Sequence, residues 1–168
     1  MTTRPTAEIV SIGSELLSGD TIDTNSSHIA RILRELGIEL RFISAVSDDE
    51  NLIAETVERG LSRSNVVITT GGVGPTVDDK TRAAVASATG HALRFRPHLL
   101  KQIESRFALW GRVMSENNRQ QAYTPDGAIE IENPIGTAPC FMVEHGNSIV
   151  ICLPGVPLEM IYLLDNNV

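Results

Sequence analysis

A mostly parallel β-sheet, covered by helices and bearing one antiparallel edge late in the chain, is the architecture that three features of this sequence predict. Short β-branched runs alternate with amphipathic helical stretches three times between residues 7 and 88. Glycine-containing segments follow the apolar runs that end at Ile12, Thr70 and Leu153. Beyond residue 139 the alternation gives way to two strand-like runs joined by a tight turn. Strand–helix alternation needs crossover connections, and crossovers leave neighbouring strands parallel. A two-run hairpin can only be antiparallel.

Taken in order, AEIVSI (7–12) is the first strand, ending at Gly13. Residues 25–36 put Ile29, Ile32, Leu33 and Leu36 on one helical stripe, which Gly37 stops. Leu40 to Val46 is the second strand. Ser47 and Glu50 have the spacing of a capping box, in which hydroxyl and carboxylate each satisfy a free amide, and Ile53 and Val57 follow on the apolar face. VVITT (66–70) is the third strand, and a helix from about Asp79 to Ala88 comes after it. Pro97 suits the first turn of a helix, with Leu100, Ile103, Phe107 and Trp110 expected to face inward. A short polar helix near 115–122 precedes the hairpin, CFMVE and SIVICL separated by His145-Gly146-Asn147. Pro157 opens a last helix. The chain stops at Asn166-Asn167-Val168, inside or just after that helix. We expect residues 1–168 to be a single domain and a fragment of a longer protein.

Composition narrows the function. The 168 residues are 42% hydrophobic and 21% charged, as in an ordinary globular domain. Fourteen Lys and Arg against 21 Asp and Glu leave a net charge of −7 with no basic stripe. That argues against duplex nucleic acid, where cationic contacts to phosphate dominate affinity. Aromatics at 4% do not make a stacking platform for single strands. No stretch approaches the roughly 20 apolar residues of a membrane span. MTTRPTAE has no apolar core behind its arginine, and Cys140 and Cys152 have neither metal spacing nor a disulfide framework. A cytoplasmic, reduced setting is expected, with no membrane partner.

Parallel sheets bind ligands beyond the carboxyl ends of their strands. Gly13-Ser14-Glu15, TTGGVGPTVDDKT (69–81) and Leu153-Pro154-Gly155-Val156-Pro157 fall there. The second holds a contradiction. Glycine amides and a helix N-terminus attract an anion, whereas Asp78 and Asp79 repel one. A divalent cation resolves it, because it binds carboxylate and phosphate oxygens together. Amides of Gly71, Gly72 and Gly74 would then face phosphate, Pro75 would fix the turn, and Thr76 and Thr81 would add hydroxyls. Plain helix capping by one aspartate is the alternative. Glu15 reads either as a further carboxylate for the metal, or a base for water, or as a solvated loop side chain. Capping suffices for at least one of Asp23 and Asn25, and for Asp48 and Asp49. Asn117, Asn118, Gln120 and Gln121 read as an exposed polar face, although an amide there could meet a base or pterin edge. The four histidines show no zinc or triad spacing, and neither G-x-S-x-G nor a Walker lysine is present.

In their order, GSELLSG (13–19), DTN (23–25), VSDD (46–49), TTGGVGPTVDDKT (69–81), NPIGTAP (133–139) and LPGVPLEM (153–160) closely resemble the N-terminal domain of the competence/damage-inducible CinA family. The resemblance covers about residues 8–163, and TGGVGPTVDD with PGVPLEM downstream is its most specific part. It implies a MoaB/MogA-like three-layer α/β sandwich with helices on both faces of the sheet. MoaB/MogA-type relatives bind molybdopterin, and some adenylylate it. The CinA-type domain is linked to metal-dependent cleavage of ADP-ribose at the pyrophosphate. The resemblance therefore implies an ADP-ribose-like or molybdopterin ligand, Mg²⁺ or another divalent cation, and a homo-oligomer, a dimer or trimer. It puts the metal on Asp78 and Asp79, with Glu15 joining them as a candidate catalytic group. It puts the ligand against Gly13, Ser14, Gly71, Gly72, Gly74, Pro154 and Gly155, beside the Thr76 hydroxyl that the loop itself offers. Deamidase activity belongs to a C-terminal domain of full-length relatives and is not carried over. Many family members read GTAPG where this chain has Gly136-Thr137-Ala138-Pro139-Cys140.

Overall fold

Val, Ile and Thr carry branched side chains that pack well on a pleated surface, and the run Thr6–Ile12 (β1) is buried along its whole length. In the computed structural model, which describes residues 4–168, β1 lies between Glu39–Val46 (β2) and Val66–Thr70 (β3), parallel to both. The remaining strands are Leu93–Phe95 (β4), Tyr123–Pro125 (β5), Ile129–Ile131 (β6), Cys140–His145 (β7) and Ser148–Leu153 (β8). The main sheet runs β2-β1-β3-β8-β7-β6. β8 is parallel to β3, whereas β7 and β6 run antiparallel to their neighbours. The predicted mixed sheet is present, with β4 and β5 paired as a separate ribbon.

The helices are Ser14–Ser18 (α1), Thr24–Glu35 (α2), Glu50–Leu61 (α3), Thr81–Thr89 (α4), Pro97–Leu109 (α5) and Pro157–Asn167 (α6). Successive side chains of a strand leave opposite faces, and the two faces build separate cores. Val10, Val67, Phe141 and Val150 pack with Ile53 and Val57 of α3 and with Ala84 and Val85 of α4. Ile9, Ile68 and Ile151 pack with Ile29 and Leu33 of α2 and with Met160 and Leu163 of α6. Helix, sheet and helix make three layers. A small third cluster of Leu99, Ile103 and Ala122 joins α5 to the 3-10 segment Glu116–Ala122.

Local details depart from the sequence reading in four places. Ser47 and Glu50 form no capping box. Helix α3 begins at Glu50, so the capping position is Asp49, whose side chain accepts from the Leu52 amide at 3.0 Å. Trp110 does not face inward: α5 ends one residue earlier and overruns the small third cluster, leaving Trp110 45% exposed against Phe107. Leu99 takes the buried position, and Leu100 and Phe107 are only partly buried. His145 belongs to β7 and pairs with Ser148, so the hairpin turn is Gly146-Asn147, with Gly146 at φ 61°. Finally, β6 covers the hairpin, which leaves β2 and β6 as the sheet edges.

Cys140 and Cys152 are both free and fully buried, one in each core. Burial pushes both thiols up, Cys152 to about 12. The side chain that replaces the usual glycine at position 140 therefore fills core space. No helix among the described residues is long and apolar enough to cross a membrane.

Candidate functional site

Parallel neighbours send their carboxyl ends to one edge of a sheet, so the loops after β1, β3 and β8 meet. Gly13, Gly72 and Gly155 line one cleft of about 370 Å³. Some of the glycines answer first to that meeting. Gly71 has φ 103°, and a Cβ there would lie 2.2 Å from the Ile12 carbonyl oxygen. A Cβ on Gly155 would come within 3.2 Å of the Gly71 Cα. Close approach of backbones demands glycine here before any ligand is considered. Asn25 ties the same loops together, its Nδ2 donating to Thr70 Oγ1 and to the Gly155 carbonyl, each at 2.9 Å.

The acidic pair is divided. Helix α4 starts at Thr81 and its first turn has no side-chain cap, so neither aspartate caps it. Asp79 turns back into the loop instead. Its carboxylate accepts from the Gly74 amide at 2.6 Å, the Thr76 amide at 2.7 Å and the Thr76 hydroxyl at 2.7 Å. Asp79 lines the cleft, whereas Asp78 is exposed and does not. Consecutive residues of a tight turn point apart, and only one of them can close it. Buried Arg82 supports the loop from beneath, donating to the carbonyls of Val73 and Gly74. Burial lowers its guanidinium to about 10 against the pull of Asp79.

Several expected ligand groups are committed within the protein. The Gly71 amide extends the sheet ladder to the Leu153 carbonyl at 3.1 Å, and the Gly74 amide is held by Asp79. Thr81 is fully buried and donates to the Gly71 carbonyl. Thr76 lies outside the cleft lining, as does Ser14, whose amide and hydroxyl both donate to Asp48 at 2.9 and 2.7 Å. Gly13, Gly71, Gly72, Gly74, Pro154, Gly155 and Glu15 do line it.

Three further side chains line the cleft that were not among the expected ligand or catalytic residues. Asp48 is an anchor for the first loop and not a cap. Glu159 sits in the first turn of α6, where burial raises its carboxyl above the usual range although the Asn133 amide bonds it. It could have been found as the carboxylate inside PGVPLEM. Gln121 is fully buried on the cleft wall, with Nε2 unpartnered. A polar run gives no sign that one amide is tucked under a loop. Glu15, Asp48, Asp79 and Glu159 thus surround one cleft. Among the described residues, no three His, Cys, Asp or Glu side chains converge closely enough to hold a metal by themselves. Next to the cleft, sharing Ile12, Glu15 and Gly155 with it, is a second pocket of about 120 Å³ reaching Asn25.

Comparison with known proteins agrees with this fold. Residues 8–168 match the family described as probable molybdopterin binding domain. A competence-damage inducible protein of Halothermothrix orenii is 46% identical over 162 residues, which is 96% of this chain and 39% of that protein. The chain therefore spans about two-fifths of the length of the curated relatives it matches. The solved structure of CinA from Thermoplasma acidophilum, a protein described as of unknown function, superposes with TM-score 0.90 at 34% identity, covering 96% of this chain and 95% of that one. MoaB of Thermus thermophilus, a molybdopterin biosynthesis enzyme, shares the fold at TM-score 0.65 and 19% identity, over 96% of this chain and 87% of its own. With its glycine cleft at the ends of β1, β3 and β8, this chain belongs to the molybdopterin-binding domain family, in its CinA-type, competence-damage inducible branch.

Proposed function

We propose that this domain hydrolyses the pyrophosphate of ADP-ribose or a related dinucleotide with a divalent cation, Mg²⁺ or one like it. The observation that carries the reading is the placement of four carboxylates, Glu15, Asp48, Asp79 and Glu159, around a glycine-walled cleft. Such a wall repels a bare phosphate but suits a phosphate that arrives with a cation. The donor set fits that cation: carboxylate oxygens are its preferred ligands, and Mg²⁺ is usually held by one or two of them plus substrate phosphates. The lack of a three-carboxylate cage among the described residues is consistent with this. Asp79 and Asp48 would hold the ion, and Asp78, on the outer side of the turn, would add only long-range charge. When bound, the ion supplies polarisation of the pyrophosphate oxygens and lowers the pKa of water.

The chain's own groups do the rest. Glycine backbone around 71–74 and 155 lets the phosphates approach closely. Glu15, at the cleft mouth, orients the attacking water and takes its proton as the water oxygen bonds to phosphorus and the bridging P–O bond breaks. Arg82 holds the loop rigid and offsets the charge of Asp79.

A second reading, binding of molybdopterin or its adenylylation, draws support from the family description and from the biosynthesis enzymes that share the fold. A non-catalytic binding module is a third. The reaction separates them. Phosphorus NMR of ADP-ribose with the protein and Mg²⁺ should show the pyrophosphate signals replaced by two phosphomonoesters. Metal-dependent binding without that change would leave a module, and neither binding nor turnover would overturn the reading. A cytoplasmic setting and a homo-oligomer belong to the same proposal. The two buried free cysteines support the first, and exposed Phe42 and Ile43 on edge strand β2 support the second.

A further inference from the structure

Asn25 lies in the first turn of α2, 8% exposed, and its carboxamide has one possible orientation. The Gly155 carbonyl can only accept, so the amide atom 2.9 Å from it is Nδ2. The Thr70 hydroxyl gives its proton to the Pro154 carbonyl and so accepts from the same Nδ2. Oδ1 is left buried and without a partner. Buried polar atoms are nearly always satisfied, and an exception asks what satisfies it.

The side chain lines the pocket of about 120 Å³ that shares Ile12, Glu15 and Gly155 with the cleft. Ile12, Leu16, Ile22 and Pro157 give that pocket apolar walls. Its buried hydroxyl protons are committed: Ser11 donates to Asp23 and Thr70 to Pro154. The acceptors on this pocket are the buried, unpartnered Asn25 Oδ1 and the half-buried Asp23 carboxylate, which already accepts from Ser11 and Ser26. Burial alone would raise the Asp23 carboxyl, but bonds from Ser11, Ser26 and Asn25 hold it below the usual range, so it stays ionised. Apolar walls with acceptors in the floor match a flat ring that carries an amino group. They match neither a phosphate nor a carboxylate.

We propose that this pocket is the subsite for the amino-bearing heterocycle of a nucleotide-type ligand, with Asn25 Oδ1 accepting a hydrogen from the ring amine. The assignment rests on the reading of the adjoining cleft as the phosphate site. It makes Asn25 a specificity residue as well as the clamp between two loops.

Calorimetric titration with Mg²⁺ tests it, using inorganic pyrophosphate, ADP and the 5′-diphosphate of purine riboside, which is adenosine lacking only the amine. ADP should bind roughly tenfold tighter than the deaminated analogue, the size expected for one neutral hydrogen bond gained by a buried acceptor. In Asn25→Ala both should weaken, since the hold on Gly155 is lost, and their ratio should fall towards one. An Asn25 that only clamps the loops weakens both equally and keeps the ratio, which would overturn the proposal. Equal affinities in the unaltered protein would overturn it too, without recourse to any variant. Pyrophosphate binding as tightly as ADP would remove the subsite and leave the phosphate cleft standing. Failure of all three ligands to bind would remove both. A phosphorylated 6-hydroxymethylpterin measured alongside identifies the ring: a larger Asn25-dependent advantage for it than for ADP assigns the pocket to a pterin amine.

Discussion

Replacing Asp79 by Asn is the sharpest perturbation, because the loop closed by this side chain makes a different demand from a helix cap. A cap tolerates the change, since Asn and Asp cap equally well. The closed loop does not. One carboxylate oxygen takes the Gly74 amide, and the other takes the amide and hydroxyl of Thr76. A carboxamide has one oxygen, so its NH₂ must confront a backbone N–H in either orientation. Hydrogen bonds to a charged group contribute about 1.5–3 kcal/mol, and a buried donor left unpaired costs about 1–3 kcal/mol. Because Thr76 is exposed and Asp79 half-buried, water recovers part of this, and we expect a net loss of about 2 kcal/mol. For a domain of this size each kcal/mol moves Tm by roughly 2–4 °C, so the midpoint should fall by about 4–8 °C. Asp78→Asn, on an exposed side chain outside the cleft, should stay within about 0.5 kcal/mol of the parent. Scanning calorimetry of the two variants, followed by titration with ADP-ribose and Mg²⁺, reads both consequences. A Tm for Asp79→Asn within about 1 °C of Asp78→Asn, with metal-dependent affinity retained, would refute the loop-closure argument and the metal assignment together.

Other outcomes follow from the same geometry. Gly72→Ala forces a left-handed residue at φ 65° and puts a Cβ 2.3 Å from the Thr81 hydroxyl; the backbone strain alone is about 1–2 kcal/mol, and urea unfolding should show a loss larger than that. Glu15→Gln should leave Tm unchanged within about a degree or two yet remove turnover in the phosphorus NMR assay. The raised carboxyl of Glu159 binds its proton more tightly in the folded than in the unfolded chain. Its contribution is therefore complete below the ordinary value of 4.5 and is lost as pH rises through the folded value. Tm measured across that window should fall less steeply in Glu159→Gln than in the parent. Light scattering should give the mass of a dimer or trimer, and a monomer at high concentration would dismiss the homo-oligomer.

Sequence reading found the parallel core and the hairpin because both are written in period and punctuation. VVITT and SIVICL are near-continuous runs of β-branched and apolar residues, as strands buried on both faces tend to be. It missed β4, β5 and β6, since three residues are too few to display a period. The convergence of Gly13, Gly72 and Gly155 followed from strand direction together with the family pattern. What each side chain does there did not. Asp78 and Asp79 are chemically identical neighbours, and which one turns inward is decided by the amides of Gly74 and Thr76 and by Arg82 below. Gln121 reads as surface but is buried, its Oε1 accepting from the Asn118 amide within the same short 3-10 segment. Capping was expected of at least one of Asp23 and Asn25, and Asp23 holds that position, which frees Asn25 for the loops.

The placement of β8 carries a consequence for how the domain forms. Its partner β3 pairs Val66 with Ile149, so the centre of the sheet joins residues 83 apart along the chain. Non-local parallel pairing is slow, because loop-closure entropy is lost before any contact rewards it. On the ribosome β1, β2 and β3 emerge early with one edge of β3 open, and that edge waits until Ser148–Leu153 has cleared the exit tunnel. Half-made chains thus display an apolar strand edge for seconds at ordinary elongation rates. Chaperone capture during synthesis should concentrate in that interval and end once β8 slots between β3 and β7.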